Sequence, residues 1–379
     1  MKRRLVWGWC LALVASVGCA STYDSGSVAT NATVSSRGSE VGVSYFYDSL
    51  SPYGQWIEVQ PYGWCWTPYD VSSDWRPYSD GHWEYTEDGW CWAANEPWGW
   101  APYHYGRWTL DDSYGWVWVP DHVWGPAWVA WCSNGDWVGW APLPPGATWA
   151  ASTGLAFSDA RMIPSTEWCF VPRRHLLDAG LQVEVASVAR NVTLLEKSRG
   201  MTRFEVRGGR PANLGVDVAL IQTSLGRPVP RTRIVDVDSP DRGRGQPAGG
   251  GAIGFYRPTV RPMPEAPAPE LRKRNDISDE VLQQRRDEQQ RRLESDLAVE
   301  RARLARDQED ESRNHAAGAP GAGELERRHA AELRAFEAHA EQQRRVLEHR
   351  MQQQIVRPDR TKNAHRQDKK GSEHGKGGA

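Results

Sequence analysis

The sequence has almost no net charge and lacks the motifs of the common enzyme classes. Its 46 lysine and arginine residues nearly balance 48 acidic residues, for a formal net charge of −2. Global charge therefore gives no reason to expect a nucleic-acid partner. The chain also has no phosphate-binding loop and no G-x-S-x-G nucleophile motif. These absences predict a protein that is not an enzyme and that uses no cofactor.

The pattern of cysteine and histidine residues does not fit a metal centre. The six cysteines include no C-x-x-C pair, and no paired histidines accompany them, although zinc sites need such spacing. The adjacent acids Asp111 and Asp112 precede a turn and are typical turn residues. His104, between two tyrosines, is the best candidate for a functional imidazole. An envelope hydrolase that uses it is a remote alternative.

The first 19 residues are typical of an export signal. Lys2, Arg3 and Arg4 precede an apolar segment of thirteen residues at 5–17, which is too short to span about 30 Å of hydrocarbon. A small residue directly before Cys19 resembles a bacterial lipobox, in which the cysteine is acylated. Ser16 departs from the usual aliphatic residue there, so ordinary cleavage nearby stays open. Residues 20–44 have the composition of a flexible tether. We therefore predict an exported, membrane-anchored protein of the bacterial cell envelope, periplasmic or at the outer membrane.

Tryptophan is present in large excess. Of 21 tryptophans, 18 lie between Trp56 and Trp149. The elements YGWCW, DGWCW and YGWVW begin their tryptophan pairs at positions 64, 90 and 116, a spacing of 26 residues each time. A degenerate fourth unit ends near Gly146. Fixed spacing over several copies indicates a structural repeat.

Each repeat has the pattern of a β-hairpin. The W-x-W alternation places both indoles on one face of a strand, and Gly, Pro and Asp residues supply the turns. A lone hairpin is marginally stable, so the units must pack together. We predict one mainly β domain at residues 45–149. The strand order stays open, because a closed barrel, a partial propeller and an open twisted stack all fit the pattern.

Aliphatic residues are scarce between 45 and 149, so the indoles must supply much of the core. Each tryptophan can bury about 150–250 Å². We predict structural, buried positions for the paired tryptophans Trp64, Trp66, Trp90, Trp92, Trp116 and Trp118. We predict that aromatic rings outside the W-x-W pairs lie at the surface. There they suit a sugar-binding groove, a protein interface or a groove for a Pro-rich peptide. These candidate ligand-binding residues are Trp75, Trp98, Tyr103, His104, Tyr105, Trp124 and Trp131.

Export would permit disulfide bonds. Cys65 and Cys91 occupy the same slot that Val117 fills in the third unit, so an unbonded apolar cysteine also fits there. A Cys65–Cys91 bridge is possible if the strands of those units are neighbours. Cys132 and Cys169 would form the other pair.

The remainder of the chain divides by composition. Residues 150–238 predict a small α+β lobe, with strands at TEWCFVP, RNVTLLE, MTRFEVRGG and RTRIVDVD and a short helix that ends at Gly226. Residues 239–275 hold seven prolines and six glycines and predict a linker. Residues 276–356 predict two long charged helices broken near 315–323, with apolar residues spaced for a helical hairpin or a self-associating coiled coil. Residues 357–379 predict a basic disordered tail.

The aromatic stretch resembles a bacterial family of exported Trp/Gly-rich proteins that share a domain of unknown function. The resemblance rests on YFYDSLSPYGQW, the YGWxWxP units, EPWGWAPYHYGRW, VWGPAWVAW, VGWAPLPPG and WCFVP, and it covers about residues 45–238. Cysteine in the two GWCW units departs from the Val-like residue expected there. The resemblance implies a secreted or periplasmic protein, often a lipoprotein, and it implies no activity.

The sequence thus predicts a non-enzymatic envelope lipoprotein that acts as an interaction or scaffold module. Its partners would be envelope proteins or cell-wall glycan, a membrane through the lipid anchor at Cys19, and further copies through the C-terminal helices. The alternative is a lectin-like binder of peptidoglycan or exopolysaccharide through exposed aromatic rings.

Overall fold

The computed structural model describes residues 40–42, 44–69, 71–72, 74–262, 279–314 and 321–352, all within one compact unit. The predicted export signal, Cys19, nearly all of the predicted tether and the predicted basic tail lie outside the described residues. Within them, no helix combines the length and the apolar character needed to cross a membrane. The fold is mainly β with two long C-terminal helices, as the sequence predicts.

The described part of the chain contains five α-helices and nineteen β-strands. The helices are α1 (Ser44–Leu50), α2 (Asn191–Glu196), α3 (Val218–Leu225), α4 (Asp279–Asn314) and α5 (Ala322–Gln352). The strands are β1 (Glu40–Gly42), β2 (Gly54–Val59), β3 (Gly63–Pro68), β4 (Gly81–Thr86), β5 (Gly89–Ala94), β6 (Arg107–Asp111), β7 (Gly115–Val119), β8 (Val129–Asn134), β9 (Trp137–Pro142), β10 (Thr148–Ala150), β11 (Gly154–Ala156), β12 (Cys169–Pro172), β13 (Arg199–Gly200), β14 (Phe204–Arg207), β15 (Arg210–Asn213), β16 (Arg233–Asp236), β17 (Arg244–Gly249), β18 (Ala252–Phe255) and β19 (Thr259–Arg261).

Four antiparallel hairpins form the Trp-rich part: β2–β3, β4–β5, β6–β7 and β8–β9. The glycine of each double-tryptophan element begins the second strand of the first three hairpins. Gly63, Gly89 and Gly115 have φ angles of 75°, 82° and 72°, a left-handed conformation that costs glycine little. This conformational requirement explains why glycine precedes each tryptophan pair.

The hairpins do not pair in chain order. The sheet orders are β2-β3-β7-β6, β14-β15-β5-β4 and β12-β9-β8-β13. The first hairpin therefore joins the third, while the second and fourth hairpins pair with strands that follow residue 149. Strands outside the repeat thus complete two of these three sheets.

Tryptophans face each other across every hairpin. The directly opposite pairs are Trp56–Trp66, Trp83–Trp92, Trp108–Trp118 and Trp131–Trp140. All eight side chains are at most 3% exposed. Such facing aromatic pairs stabilise an antiparallel sheet and supply the core that aliphatic residues do not. Among the six tryptophans predicted to be structural, the structure buries Trp66, Trp90, Trp92, Trp116 and Trp118 and leaves Trp64 half-buried.

Backbone carbonyls satisfy many of the buried indole N–H groups. Trp90 Nε1 donates to the carbonyl of Val216 at 2.8 Å, and Trp140 Nε1 donates to the carbonyl of Tyr78 at 2.9 Å. A buried donor without a partner would cost about 1–3 kcal/mol. These bonds let the indoles fill the interior and also tie the hairpins to segments that are distant in sequence.

All four cysteines of the described residues are free thiols, so of the two alternatives for Cys65 and Cys91 the structure has the unbonded one and not the bridge. The pairing of hairpins is the reason. Cys65 packs with Val117, because β3 lies beside β7, whereas Cys91 packs with Phe255 in another cluster. Each thiol fills an apolar position, which is a common role for unbonded cysteine.

We expect a reducing agent to leave the melting temperature of the protein unchanged. Cys132 and Cys169 are also free and pack in different clusters, so no bond among these four thiols is available to reduce. A native disulfide usually contributes about 2–4 kcal/mol. Thermal melts with and without dithiothreitol measure this directly, and a clear fall in melting temperature with dithiothreitol would show that a disulfide exists.

Residues 150–238 do not form a separate lobe. Val171, Leu176, Val216 and Ile221 belong to the same core cluster as the tryptophans. RNVTLLE, predicted as a strand, forms α2. The predicted helix is confirmed: α3 is capped by Asp217, whose side chain accepts from the N–H of Ala219, and it ends at Gly226.

The linker prediction is wrong for residues 240–261. This stretch forms a short 3₁₀ turn at Pro240–Arg242 and strands β17, β18 and β19. β18 lies between β16 and β17, and β19 pairs in parallel with β1. Residues 40–42 of the predicted tether are therefore paired as well, and residues 263–278 lie outside the described part. A fragment that ended before residue 262 would lose part of the fold.

The two C-terminal helices form a hairpin that packs on the β structure. We call the described residues before these helices, 40–262, the head. The shared cluster of the two helices contains Leu293, Leu297, Leu304, Phe336 and Ala340, together with Ala189 of the head. At the other contact, Arg350 Nη2 donates to Thr67 Oγ1 at 2.8 Å and its Nε donates to the carbonyl of Tyr114 at 3.1 Å. The regularly spaced apolar residues of these helices thus pack against one another and form a helical hairpin within one chain.

Candidate functional site

Five of the seven predicted ligand-binding residues are buried. Trp98 is 5% exposed, and Tyr103, His104, Tyr105 and Trp131 are fully enclosed. Their expected exposure is therefore wrong. Segments from beyond residue 149 cover His104, Tyr105 and Trp131, through Phe255, Pro258 and Asn213 respectively. Trp98 and Tyr103 are covered from within the repeat, by rings such as Trp66 and Tyr78.

Polar atoms of Tyr105 and Trp131 have structural partners, whereas His104 Nε2 has none among the described residues. Tyr105 Oη donates to the carbonyl of Pro258 at 2.8 Å, and Trp131 Nε1 donates to Asn213 Oδ1 at 2.9 Å. A side chain that is enclosed and hydrogen-bonded in this way has no free ring face for a ligand. These residues hold the core together.

His104 and Trp124 stack on each other. Their ring centroids are 5.4 Å apart at an interplanar angle of 12°, and Phe255 meets the imidazole edge-on at 4.9 Å. Burial lowers the pKa of His104 to about 4, so the imidazole is neutral at pH 7. Trp124 is half-buried, and the guanidinium of Arg257 lies 4.9 Å from its ring centroid. Neither ring offers a free face.

Unlike the buried rings, Trp75 lines a cleft of about 910 Å³ between the β structure and α4. The ring is half-buried. Its edge-to-face contacts with Trp98 and Trp108, at centroid distances of 6.0 and 5.6 Å, hold it in place. We call this cavity the Trp75 cleft. Its lining includes Tyr53, Asp80, Asn95, Glu96, Trp98 and, from α4, Glu300.

Glu96 lies on the floor of the Trp75 cleft and is 9% exposed. Its Oε1 accepts a hydrogen bond from Tyr103 Oη at 2.6 Å and another from Trp75 Nε1 at 3.3 Å. Its Oε2 has no hydrogen-bond partner among the described residues. Burial raises the pKa of Glu96 to about 8, against the lowering effect of the Tyr103 hydrogen bond. At pH 7 the carboxyl is therefore mostly protonated, and it fixes the Trp75 ring by a hydrogen bond.

Helix α4 supplies the opposite wall. Glu300 is 7% exposed there, and burial, followed by the charge of Asp74, raises its pKa to about 7. Arg303 Nη2 donates to the carbonyl of Val185 at 3.2 Å, which ties this wall to the head. Arg76, from the head side, is 4% exposed and donates from Nη2 to the carbonyl of Ala186 at 3.1 Å.

The cleft combines ring surface with polar groups and is large enough for a small oligomer. Binding pockets commonly hold about 300–1,000 Å³ and place a few polar groups among apolar walls. Asn95 Nδ2 donates to Asp80 Oδ1 at 2.8 Å, which keeps both side chains at the rim.

Among the residues that the structure describes, no group of three metal-ligating side chains occurs. Burial also raises the pKa of Cys65 and of Cys132 to about 12, so these thiols carry no thiolate at pH 7.

Sequence reasoning identified Trp75 and Trp98 but missed the polar half of the cleft. Glu96 stands in NEPWGW, an acid within an aromatic run, and that placement was a usable signal. Glu300 and Arg303 are more than 200 residues away in a charged helix, and no local pattern indicates that they meet Trp75. Only the docking of α4 brings them there.

Residues 47–147 match the model of a family of unknown function, DUF6600. The match covers the four hairpins and supports a domain of unknown function over that part of the chain. It does not extend over strands β10 to β19 or over the two long helices. No curated protein and no solved structure matches the chain.

Proposed function

We propose that the protein is a lectin-like, non-enzymatic component of the bacterial cell envelope that binds glycan in the Trp75 cleft. The observation that carries this proposal is a half-buried tryptophan held rigidly beside Asp80, Asn95 and Glu96. The ligand would be a chain of peptidoglycan or exopolysaccharide.

The chemistry of sugars supports this assignment. A pyranose ring presents an apolar C–H face, which packs on an aromatic ring, and a rim of hydroxyl groups, which hydrogen-bond to amide and carboxyl groups. Trp75 and Tyr53 offer the first kind of surface, while Asp80 and Asn95 offer the second. A rigid aromatic side chain gives contact area at low conformational cost.

The scaffold function is less well supported by the position of the helices. A scaffold that assembles through α4 and α5 needs an apolar face for its partner. Leu293, Leu297 and Phe336 instead pack against one another within the chain. Assembly with envelope proteins or with further copies stays a prediction from the sequence.

The cellular location belongs to the same proposal. It rests on the export signal at residues 1–19 and on acylation of Cys19, which the sequence predicts. Anchored by the N-terminus, the head would sample glycan within reach of the tether.

We expect the full chain to co-sediment with insoluble peptidoglycan or with insoluble chitin. The Trp75→Ala variant should bind at least about tenfold more weakly, because loss of a central aromatic anchor costs about 2 kcal/mol or more. Retention at high salt would indicate stacking, since salt screens charge. Trp149→Ala is the matched control, because Trp149 is also half-buried but lies on β10 in another cluster.

The measurement is the fraction of protein in the pellet at low and high salt, with folding of each variant checked by circular dichroism. If the unchanged protein stays in the supernatant with both polymers, the glycan-binding proposal is wrong. Equal retention of Trp75→Ala and the unchanged protein would place binding outside the Trp75 cleft.

A further inference from the structure

The Trp75 cleft has an excess of carboxyl groups. Five acidic side chains line it: Asp74, Asp80, Glu96, Asp296 and Glu300. Of the described residues that line the cleft, two are basic, Arg76 and Arg303. The acids come from both walls, because Asp296 and Glu300 belong to α4 while the other three belong to the head.

The two guanidinium groups do not neutralise these acids by direct pairing. Arg76 and Arg303 donate to the carbonyls of Ala186 and Val185. Among the described ion pairs, none joins either arginine to a carboxyl group of the cleft. Burial raises the pKa of Glu96 to about 8 and that of Glu300 to about 7, so the negative charge of the cleft comes chiefly from Asp74, Asp80 and Asp296. Low-dielectric walls focus the potential of such charges.

A second observation points to a ligand at the same place. Glu96 is 9% exposed and its Oε2 has no hydrogen-bond partner among the described residues. Buried carboxyl oxygens normally have partners. This atom belongs to a residue that lines the cavity and holds the Trp75 ring, so an unsatisfied polar group and an aromatic ring occur together.

We propose that the Trp75 cleft selects amino sugars with free ammonium groups, that is, de-N-acetylated hexosamine units of a polysaccharide. The inference rests on the proposed glycan binding and adds the charge of the ligand to it. An ammonium group beside ionised carboxylates forms charge-assisted hydrogen bonds, and an aromatic face attracts a cation. N-acetylated units lack this charge, and uronic acids carry the opposite one.

The test is isothermal titration calorimetry of the full chain with three tetramers at pH 6 and low salt. We expect the glucosamine tetramer, which is cationic, to bind at least about tenfold more tightly than the N-acetylglucosamine tetramer, since hydrogen bonds to charged groups contribute about 1.5–3 kcal/mol. The galacturonic acid tetramer should bind most weakly. Added salt should weaken the first much more than the second.

Charge variants locate the effect. Asp80→Asn on the head and Asp296→Asn on α4 keep the size of the side chain and should each weaken the glucosamine tetramer up to about fivefold, as expected for partly exposed charges. Each change should weaken the N-acetylglucosamine tetramer less than it weakens the glucosamine tetramer, because the amide still forms hydrogen bonds but carries no charge. Asp112→Asn removes an exposed acid in the β6–β7 turn, away from the cleft lining, and should change neither affinity.

The outcomes separate this inference from the proposed function. If the N-acetylated or the uronic tetramer binds as tightly as the glucosamine tetramer and Trp75→Ala weakens it, glycan binding stands and the selection for ammonium groups is wrong. Failure of all three tetramers to bind overturns the inference and contradicts glycan binding too. Equal weakening by Asp112→Asn would show a general charge effect and would also overturn it.

Discussion

Replacing Trp131 with alanine is expected to lower the free energy of unfolding by about 3–5 kcal/mol, as for other large-to-small changes in a core. The side chain is fully enclosed. Its ring centroid lies 4.6 Å from that of Trp83 and 6.0 Å from that of Trp140. The change would also remove the donor to Asn213 Oδ1 and leave that buried oxygen unsatisfied.

Urea unfolding followed by circular dichroism measures this loss. Trp149→Ala serves as the control, because that ring is half-buried, and a smaller loss is expected there. Trp131→Phe retains most of the ring and loses the hydrogen bond, so it should cost about 1–3 kcal/mol. If Trp131→Ala is too unstable to purify, the phenylalanine variant still tests the account. A loss under about 0.5 kcal/mol for both Trp131 variants would contradict the position of this indole in the core.

The stability of the protein is expected to fall as the pH rises from about 4.5 to 8. Burial raises the pKa of Glu96 to about 8, whereas an unfolded glutamate has a pKa of about 4.3. Below pH 4 the carboxyl is protonated in both states. Between these two pKa values the unfolded chain releases the proton and the folded chain retains it, so each unit of pKa difference costs about 1.4 kcal/mol.

The pH effect of Glu96 can be isolated with Glu96→Gln, which cannot ionise and can still accept hydrogen bonds from Tyr103 and Trp75. Glu300 and Glu167, whose pKa values are raised to about 7 by burial, act in the same direction. His104 acts oppositely, because its stabilising contribution is lost as the pH falls toward 4. We therefore expect the difference in melting temperature between Glu96→Gln and the unchanged protein to grow from pH 5 to pH 8.5. A constant difference would contradict a protonated, buried Glu96.

Local patterns were sufficient to predict the hairpins but not the way in which they pair. The W-x-W alternation and the glycine before each pair are consequences of strand geometry within a few residues. The contact of β3 with β7, in contrast, joins hairpins that are not adjacent in sequence. A Cys65–Cys91 bridge would require the strands of the first two units to be neighbours, and this pairing of β3 with β7 excludes it.

The same limit applies to residues 150–262. RNVTLLE contains apolar residues that suit a strand, yet it forms α2. There Asn191 donates to the carbonyl of Trp168, and Thr193 donates to Glu332 on α5. Proline and glycine in residues 240–261 indicated a linker, but strand pairing with β16 and β1 orders that segment. The secondary structure of these stretches is determined by tertiary contacts with residues that are distant in sequence.

Of the candidate site, the sequence indicated the aromatic part alone. Trp75 was chosen because it falls outside the double-tryptophan rule, and it lines the cleft. Trp131 and Tyr105 were chosen by the same rule and are core residues. Whether a ring belongs to a W-x-W pair is a property of the repeat. Its exposure depends instead on which other residues pack against it in the folded chain.

The most direct test of the central claim is hydrogen–deuterium exchange of the full chain with and without saturating glucosamine tetramer, repeated with the N-acetylglucosamine tetramer. Amide exchange reports local opening, which a bound ligand suppresses. We expect slower exchange in segments 74–80, 95–98 and 296–303, which contribute residues to the Trp75 cleft, and no change in the β8–β9 hairpin. Protection confined to other segments, or no protection with either tetramer, would contradict glycan binding in this cleft.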